Sequence, residues 1–127
     1  MGPEERRTSA ARVWFDDEGI LNVVSLGVES TEQTGREFLA VKRELVGSRR
    51  VALLLDARDW PRGNPASWKQ FISVLESICY AGAVIASPKS IKAMGVFPQV
   101  FDDLLIPFRV FETEEQARDF LRRHLED

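Results

Sequence analysis

The sequence predicts a single α/β domain with a mixed, mostly parallel β-sheet of about five strands, flanked by about four helices. The first observation behind this prediction is the run VALLL at residues 51–55, which is too short for a buried helix and typical of a strand covered on both faces. The second is that short apolar segments alternate with helical patterns, as in parallel sheets. The third is a length of 127 residues, enough for one core, with residues 1–10 expected to form a flexible tail before a domain at 11–127.

Composition narrows the class of protein. A hydrophobic content of 44% and a charged content of 29% are typical of a soluble globular domain. A net charge of −3 argues against a nucleic-acid-binding protein, and no apolar run approaches the roughly 20 residues that cross a membrane. A lone cysteine, Cys79, excludes an internal disulfide and favours a reducing compartment, and with a single histidine it leaves too few ligands for a Cys/His zinc site. We therefore expect a cytoplasmic domain without metal or cofactor.

The chain opens with two β-rich segments, RVWF at 12–15 and ILNVVS at 20–25. Between them, DDEG at 16–19 offers a glycine that can take the positive φ of a tight turn, which predicts an antiparallel hairpin. The three acidic residues Asp16, Asp17 and Glu18 could instead bind a metal ion. Turns attract Asp and Gly for backbone reasons alone, however, and the turn is the favoured interpretation.

Capping residues predict the first two helices. Ser30 with Gln33 resembles a capping box for the first helix, which Gly47 would end before the central strand. Asn64 followed by Pro65 predicts the start of the second helix. An apolar stripe in that helix extends to Cys79, which predicts a buried small hydrophobe at this position rather than a reactive thiol.

The remaining elements follow the same pattern. Residues 80–82 (YAG) are expected to end the second helix before a short buried strand at 83–86 (AVIA). Ser87 and Pro88 predict another short helix, and the segment 94–107 holds further helical turns. FRVF at 108–111 is the last predicted strand, and Thr113 with Gln116 caps the final helix.

The resulting order, β-β-α-β-α-β-α-β-α, together with the motifs VWFDDEGILNVV, ALLLDARDW and EEQARDFLRRHLE, resembles the STAS family. The likeness is strongest to its SpoIIAA-like branch, which is related in fold to SEC14-type lipid-binding domains, and it spans about residues 11–126. In phosphoregulated members of the family, a Ser or Thr in an Asp-Ser-Ser-Gly type motif follows the central strand. Here that loop reads ARDWPRGNPASW, so the motif is absent and Ser67 is the nearby hydroxyl.

Candidate binding residues lie where the predicted parallel strands end, since ligands and partners of open α/β sheets meet this edge. The candidates are Asp56, Arg58, Asp59, Arg62, Asn64, Ser67, Ser87, Lys89 and Ser90. Two helix N-termini with Arg62 and Lys89 could hold a phosphate or a carboxylate. The alternative is that Asn64 and Ser87 serve as helix caps, while Arg58 forms an ordinary salt bridge with Asp56 or Asp59.

No catalytic motif appears: the chain has no Ser/His/Asp ordering, no G-x-S-x-G, no HExxH and no glycine-rich phosphate loop. The first hypothesis is a non-catalytic, STAS-like regulatory module that binds a protein partner. The second is a carrier of a small amphipathic or lipid-like ligand, with Arg62 and Lys89 at the head group and the segment 94–107 at the tail. An enzyme comes third. The surplus of apolar rings, among them Trp60, Phe97 and Phe101, predicts a homodimer interface or the wall of an apolar pocket.

Overall fold

The computed structural model describes residues 5–27, 31–59, 74–89 and 104–125. One six-stranded sheet runs through them in the order β1-β2-β3-β4-β5-β6, with β1–β3 antiparallel and β3–β6 parallel. The strands are Glu5–Arg7 (β1), Ala11–Phe15 (β2), Ile20–Ser25 (β3), Val51–Asp56 (β4), Cys79–Ile85 (β5) and Phe108–Phe111 (β6). The helices are Glu32–Val46 (α1) and Glu114–Arg122 (α2), and residues 74–78 and 88–89 are also helical. The predicted α/β class and mostly parallel sheet are confirmed.

The sheet has one strand more than expected, because β1 lies inside the segment 1–10 that we assigned to a flexible tail. Arg6 pairs with Val13 of β2, and its Nε lies 3.4 Å from Oε2 of Glu44 on α1. Backbone pairing and these polar contacts hold the strand. The sequence Glu-Arg-Arg lacks the alternation of apolar and polar residues from which a strand can be predicted.

The second correction concerns the junction between the second helix and β5. Residues 79–82 were predicted to finish the helix and turn, but β5 already begins at Cys79, which pairs with Val51. The register shifts between Val51 and Ala52, so β5 carries an extra residue at Tyr80. Because of this bulge, Cys79 packs on the same face of the sheet as the preceding helical residues Leu75 and Ile78. Cys79 therefore continues the apolar stripe of the helix in the sequence, although it already belongs to β5.

The start of α1 is one residue later than predicted. Thr31, not Ser30, is the N-cap, and its hydroxyl accepts the N–H of Thr34 at 3.2 Å. The Thr34 hydroxyl in turn accepts the N–H of Thr31 at 2.8 Å, which completes the capping box in place of Gln33. Two neighbouring hydroxyl residues both suit the cap, so the sequence alone did not separate them. The predicted stop at Gly47 (φ +70°) and the predicted cap at Thr113 are confirmed.

The two faces of the sheet are covered by different helices. One face packs against α1 and the helical residues 74–78, with Val13, Leu53 and Val84 in its core. The other face packs against α2, whose buried Ala117 and Leu121 contact the cluster of Ile20, Leu54 and Ile85. Burial of these apolar side chains is the main favourable contribution to folding. Fewer helices are described than the four predicted, since much of that sequence lies in 60–73 and 90–103, outside the described residues.

Among the described residues, none of the helices has the length and apolar character needed to cross a membrane.

Candidate functional site

Polar residues gather at the carboxyl ends of two neighbouring parallel strands. Ser25 ends β3, and Asp56, Arg58 and Asp59 lie at and just beyond the end of β4. Val24 pairs with Asp56, and Asp56 pairs with Ile85 of β5, so the three strands end at one edge. We call Ser25, Asp56, Arg58 and Asp59 the strand-end surface. It is the edge at which the sequence predicted a site.

Hydrogen bonds join the loops that follow β3 and β4. The Ser25 hydroxyl donates to the carbonyl of Asp59 at 3.1 Å and accepts the N–H of Gly27 at 3.3 Å. Gly27 has a φ of +75°, and a Cβ on it would lie 3.4 Å from the Asp59 carbonyl oxygen. A left-handed residue close to the neighbouring loop favours glycine here. Sequence reasoning missed Ser25, and the only signal that could have found it is its place at the end of a strand beside β4.

Asp56 and Arg58 form a bidentate ion pair. Asp56 Oδ1 accepts from Arg58 Nε at 3.0 Å and from its backbone N–H at 3.1 Å, and Oδ2 accepts from Nη2 at 2.5 Å. Partial burial of Asp56 opposes its ionisation, but the bonds from the side chain and backbone of Arg58 outweigh that effect and lower the pKa of Asp56. The carboxylate therefore stays charged at neutral pH, and its arginine partner is fixed in one orientation.

Arg58 remains accessible although it is paired. Its side chain is 56% exposed, against 16% for Asp56, and Nη1 makes no hydrogen bond to the described residues. Of the two salt-bridge partners that the sequence left open, the carboxylate of Asp56 is the one that binds the Arg58 side chain. The pair therefore leaves more than half of the Arg58 side chain exposed to solvent at the strand-end surface.

The other predicted site residues divide into two groups. Ser87 and Lys89 follow β5 at the same edge of the sheet, the first half-buried and the second exposed. The remaining candidates lie outside the described residues: Trp60, Arg62, Asn64, Ser67, Ser90, Phe97 and Phe101. The anion site, the phosphorylation of Ser67 and the apolar interface at Trp60, Phe97 and Phe101 therefore stay predictions.

A second polar cluster, which sequence reasoning did not find, joins the β2–β3 hairpin to α2. Arg118 Nη1 donates to Asp16 Oδ2 at 2.9 Å, and Nη2 donates to Asn22 Oδ1 at 2.8 Å. The Asn22 amide donates to Asp16 Oδ2 at 2.9 Å and to the carbonyl of Ile20 at 3.0 Å, so the buried amide is fully bonded. We call Asp16, Asn22 and Arg118 the hairpin cluster. Arg118 lies about a hundred residues after Asp16 and Asn22, and no local motif marks the cluster.

The hairpin cluster also explains the acidic turn. Asp16 Oδ1 accepts the N–H groups of Glu18 and Ile20, as an Asp in a turn does, and Glu18 pairs with Arg122 at 2.8 Å. Partial burial of Asp16 opposes its ionisation, but hydrogen bonds from Asn22, Arg118 and the Ile20 backbone prevail, and the pKa of Asp16 is lowered. In the part of the chain that the structure describes, no three His, Cys, Asp or Glu side chains are grouped to hold a metal ion.

Cys79 is fully buried, as predicted, and its thiol donates to the carbonyl of Leu75 at 2.9 Å. Burial raises the pKa of this thiol to about 12, with a smaller opposing effect from the charge of Arg50. The prediction of an inert, buried cysteine is in accord with this environment.

Comparison with known proteins gives one family and one similar fold. The sequence model of the family described as "Domain of unknown function (DUF7793)" matches residues 13–125. A comparison with curated proteins finds no significant match. The crystal structure of an uncharacterized protein of the DUF3478 family from Shewanella loihica PV-4, described as having a SpoIIAA-like fold, is similar with a TM-score of 0.58 and 13% identity. The likeness covers 94% of this chain and 91% of that chain, and it confirms the predicted SpoIIAA-like fold.

Proposed function

This chain belongs to the DUF7793 family and has a SpoIIAA-like fold, and we propose that it is a non-catalytic module that binds a protein partner at the strand-end surface. The observation that supports this proposal is the bidentate pair of Asp56 and Arg58 at the carboxyl edge of the sheet. A cytoplasmic location stays a prediction.

The protonation behaviour of the site suits binding better than acid–base catalysis. General acids and bases work best when their pKa lies near the operating pH, so catalytic carboxylates are usually raised in pKa. The pKa of Asp56 is lowered instead, through its bonds to Arg58. A carboxylate that stays ionised and bonded is a poor proton carrier, but it is a good support for its arginine.

The geometry of Arg58 suits a contact with another protein. Arginine is enriched among the residues that dominate interface energies, and a side chain already ordered before binding loses less conformational entropy on association. Asp56 orders the Arg58 guanidinium, and the bond between Ser25 and Asp59 orders the loop beside it. Nη1, which bonds to no described residue, can then donate to a carboxylate or carbonyl oxygen of the partner.

Affinity purification of the tagged chain from its cell of origin tests the proposal. We expect a protein partner to be captured by the wild type and reduced at least about tenfold by Arg58→Ala, since truncation of an interface anchor typically costs more than 1–2 kcal/mol. Arg58→Lys keeps the charge but loses the planar bidentate geometry, and it should also weaken capture. The dissociation constants of the purified pair then give the size of the effect.

Arg43→Ala is the matched control. Arg43 is an exposed arginine in the last turn of α1, which leads to the start of β4, so it lies towards the opposite end of the sheet from the strand-end surface. Its replacement should leave capture unchanged, while thermal unfolding shows that all variants fold. Equal capture by the wild type and both Arg58 variants would contradict the proposal. Native mass spectrometry that finds a bound small molecule and no partner would favour the amphipathic-ligand carrier instead.

A further inference from the structure

Strand β1 is an edge of the sheet, and the direction of its backbone groups can be derived from its pairing with β2. The N–H of Thr8 donates to the carbonyl of Ala11 at 2.8 Å, so these two residues form a hydrogen-bonded pair. In antiparallel ladders such pairs alternate with non-bonded ones, and Arg6 with Val13 is the next bonded pair. The backbone N–H and C=O groups of Glu5 and Arg7 therefore point away from β2, towards the side of β1 on which no described strand lies.

The side chains of Glu5 and Arg7 lie on the same face of the sheet and carry opposite charges. Glu5 is bonded to Arg12 of β2, with its Oε1 at 2.6 Å from Nη2 and 3.1 Å from Nε. Arg7 stands directly opposite Arg12 in the register, and it forms no ion pair with any described residue. Like charges in directly opposed positions are unfavourable. This edge therefore carries two guanidinium groups, and the carboxylate of Glu5 binds only that of Arg12.

We propose that β1 pairs antiparallel with β1 of a second copy of the chain, around a two-fold axis at Arg6, and joins the two sheets into one. In this register Glu5 of one copy stands opposite Arg7 of the other, and the symmetry repeats the pair. The outward N–H and C=O groups of both residues then form hydrogen-bonded pairs across the interface. The second copy also supplies a carboxylate to Arg7, which forms no ion pair with the described residues of its own copy.

On the face of the sheet that carries Glu5 and Arg7, the charges favour this register over its neighbours. A shift of the axis to Glu5 would oppose Glu5 to Glu5, and a shift to Arg7 would oppose Arg7 to Arg7. Charged residues on an edge strand generally prevent pairing because like charges meet. In β1, Glu5 and Arg7 carry opposite charges on either side of Arg6, so a two-fold axis at Arg6 places each of them opposite the other's counterpart in the second copy. On the opposite face, the two Arg6 side chains approach each other, but each is held by Glu44 of its own copy.

A three-residue edge forms a small interface, so the dimer is expected to be weak, below the roughly 800 Å² per partner of stable complexes. Its ion pairs are exposed and should be screened by salt. This contact uses a different edge of the sheet from the strand-end surface. It is therefore independent of the proposed partner, and either proposal can fail without the other.

Sedimentation equilibrium of the purified full chain, from about 10 μM to about 1 mM at low salt, tests the pairing. We expect the mass to rise from 14.4 kDa towards twice that value over this range. Glu5→Arg and Arg7→Glu each oppose like charges, and each should raise the dissociation constant at least about tenfold. The double variant Glu5→Arg/Arg7→Glu restores opposite charges and should restore the dimer.

Arg12→Ala is the control for the intrachain bond. It removes the partner of Glu5 within the same copy but leaves the pairs between copies in place, so the dimer should persist. A monomer at every concentration would overturn the proposal, and so would a dimer that tolerates both single reversals. Failure of the folded double variant to recover the dimer would overturn the register. Circular dichroism establishes that each variant is folded.

Discussion

At the scale of single residues, Gly82 shows how the sheet accommodates a large ring. Gly82 lies on β5 opposite Phe108 of β6, and the Phe108 ring occupies the space that a side chain at 82 would need. A Cβ there would lie 2.9 Å from Cζ and would overlap Cε2 and Cδ2 more severely. Phe108 is itself buried, so the ring has little room to move.

We expect Gly82→Ala to reduce the free energy of unfolding by about 1–3 kcal/mol, because overpacking forces the ring or the backbone to shift. Urea denaturation measures the change. In the background Phe108→Leu the same substitution should cost less, and the double-mutant cycle isolates the contact. If Gly82→Ala lowers the free energy of unfolding equally in both backgrounds, the loss comes from the strand backbone and not from contact with the ring.

Gly35→Ala is the matched control within the same chain. Gly35 lies in α1, and a Cβ on it would meet nothing within 4 Å. Alanine is favoured over glycine in a helix by about 0.5–1 kcal/mol, so this variant should be more stable than the wild type. Opposite signs for two identical substitutions would tie the effect at Gly82 to its surroundings.

At the scale of elements, α2 is held by polar bonds as well as by apolar packing. Asp16 and Arg118 have side chains that are only 14% and 16% exposed, and both are bonded to the buried Asn22. Since the folded-state pKa of Asp16 is lowered, ionised Asp16 stabilises the fold. This contribution is complete above about pH 5 and declines as the pH falls through the lowered pKa of the folded state.

Asp16→Asn should therefore lower the free energy of unfolding by about 2 kcal/mol at pH 7, the usual size of a hydrogen bond to a charged group. The stabilities of the wild type and the variant should converge as the pH falls below about 4, as measured by urea denaturation at several pH values. Asp17→Asn is the control, because Asp17 is exposed and lies outside the hairpin cluster. A gap between wild type and Asp16→Asn that stays constant down to pH 2 would contradict this account.

The elements also show what sequence patterns can predict. The runs at 20–25, 51–55 and 108–111 are apolar enough to identify β3, β4 and β6 closely. Strand β1 is polar and three residues long, so its pairing is decided by β2 and α1 rather than by its own composition. At the site, the salt bridge of Asp56 and Arg58 was among the predicted alternatives because its members are two residues apart. Ser25 and the hairpin cluster were not, because only the folded chain brings their partners together.

At the scale of the whole molecule, Cys79 reports on the integrity of the sheet. It begins β5, pairs with Val51 of the central strand, and is fully buried. With a pKa of about 12, the folded thiol is almost entirely protonated at pH 8, whereas an unfolded cysteine has a pKa near 8.5. Reaction with a thiol reagent should therefore require the sheet to open.

We expect Cys79 to react with Ellman's reagent at least about a hundredfold more slowly in native buffer than in urea, with a rate that follows the global unfolding equilibrium. Leu105→Cys is the matched control, because Leu105 is 93% exposed and a thiol there should react at once. Fast labelling of Cys79 in native buffer would indicate that β4 and β5 separate locally without global unfolding.

The sequential order of the strands has a consequence for how the chain folds during synthesis. Each of β2 to β6 joins the strand made just before it, so the sheet can grow by addition to one edge. The hairpin, although it is made early, is completed late, because Arg118 is synthesised 102 residues after Asp16. Until then Asn22 and the apolar residues Ile20, Leu54 and Ile85 lack the cover of α2. A nascent chain halted before α2 would therefore expose one apolar face of a formed sheet, the kind of surface that chaperones bind.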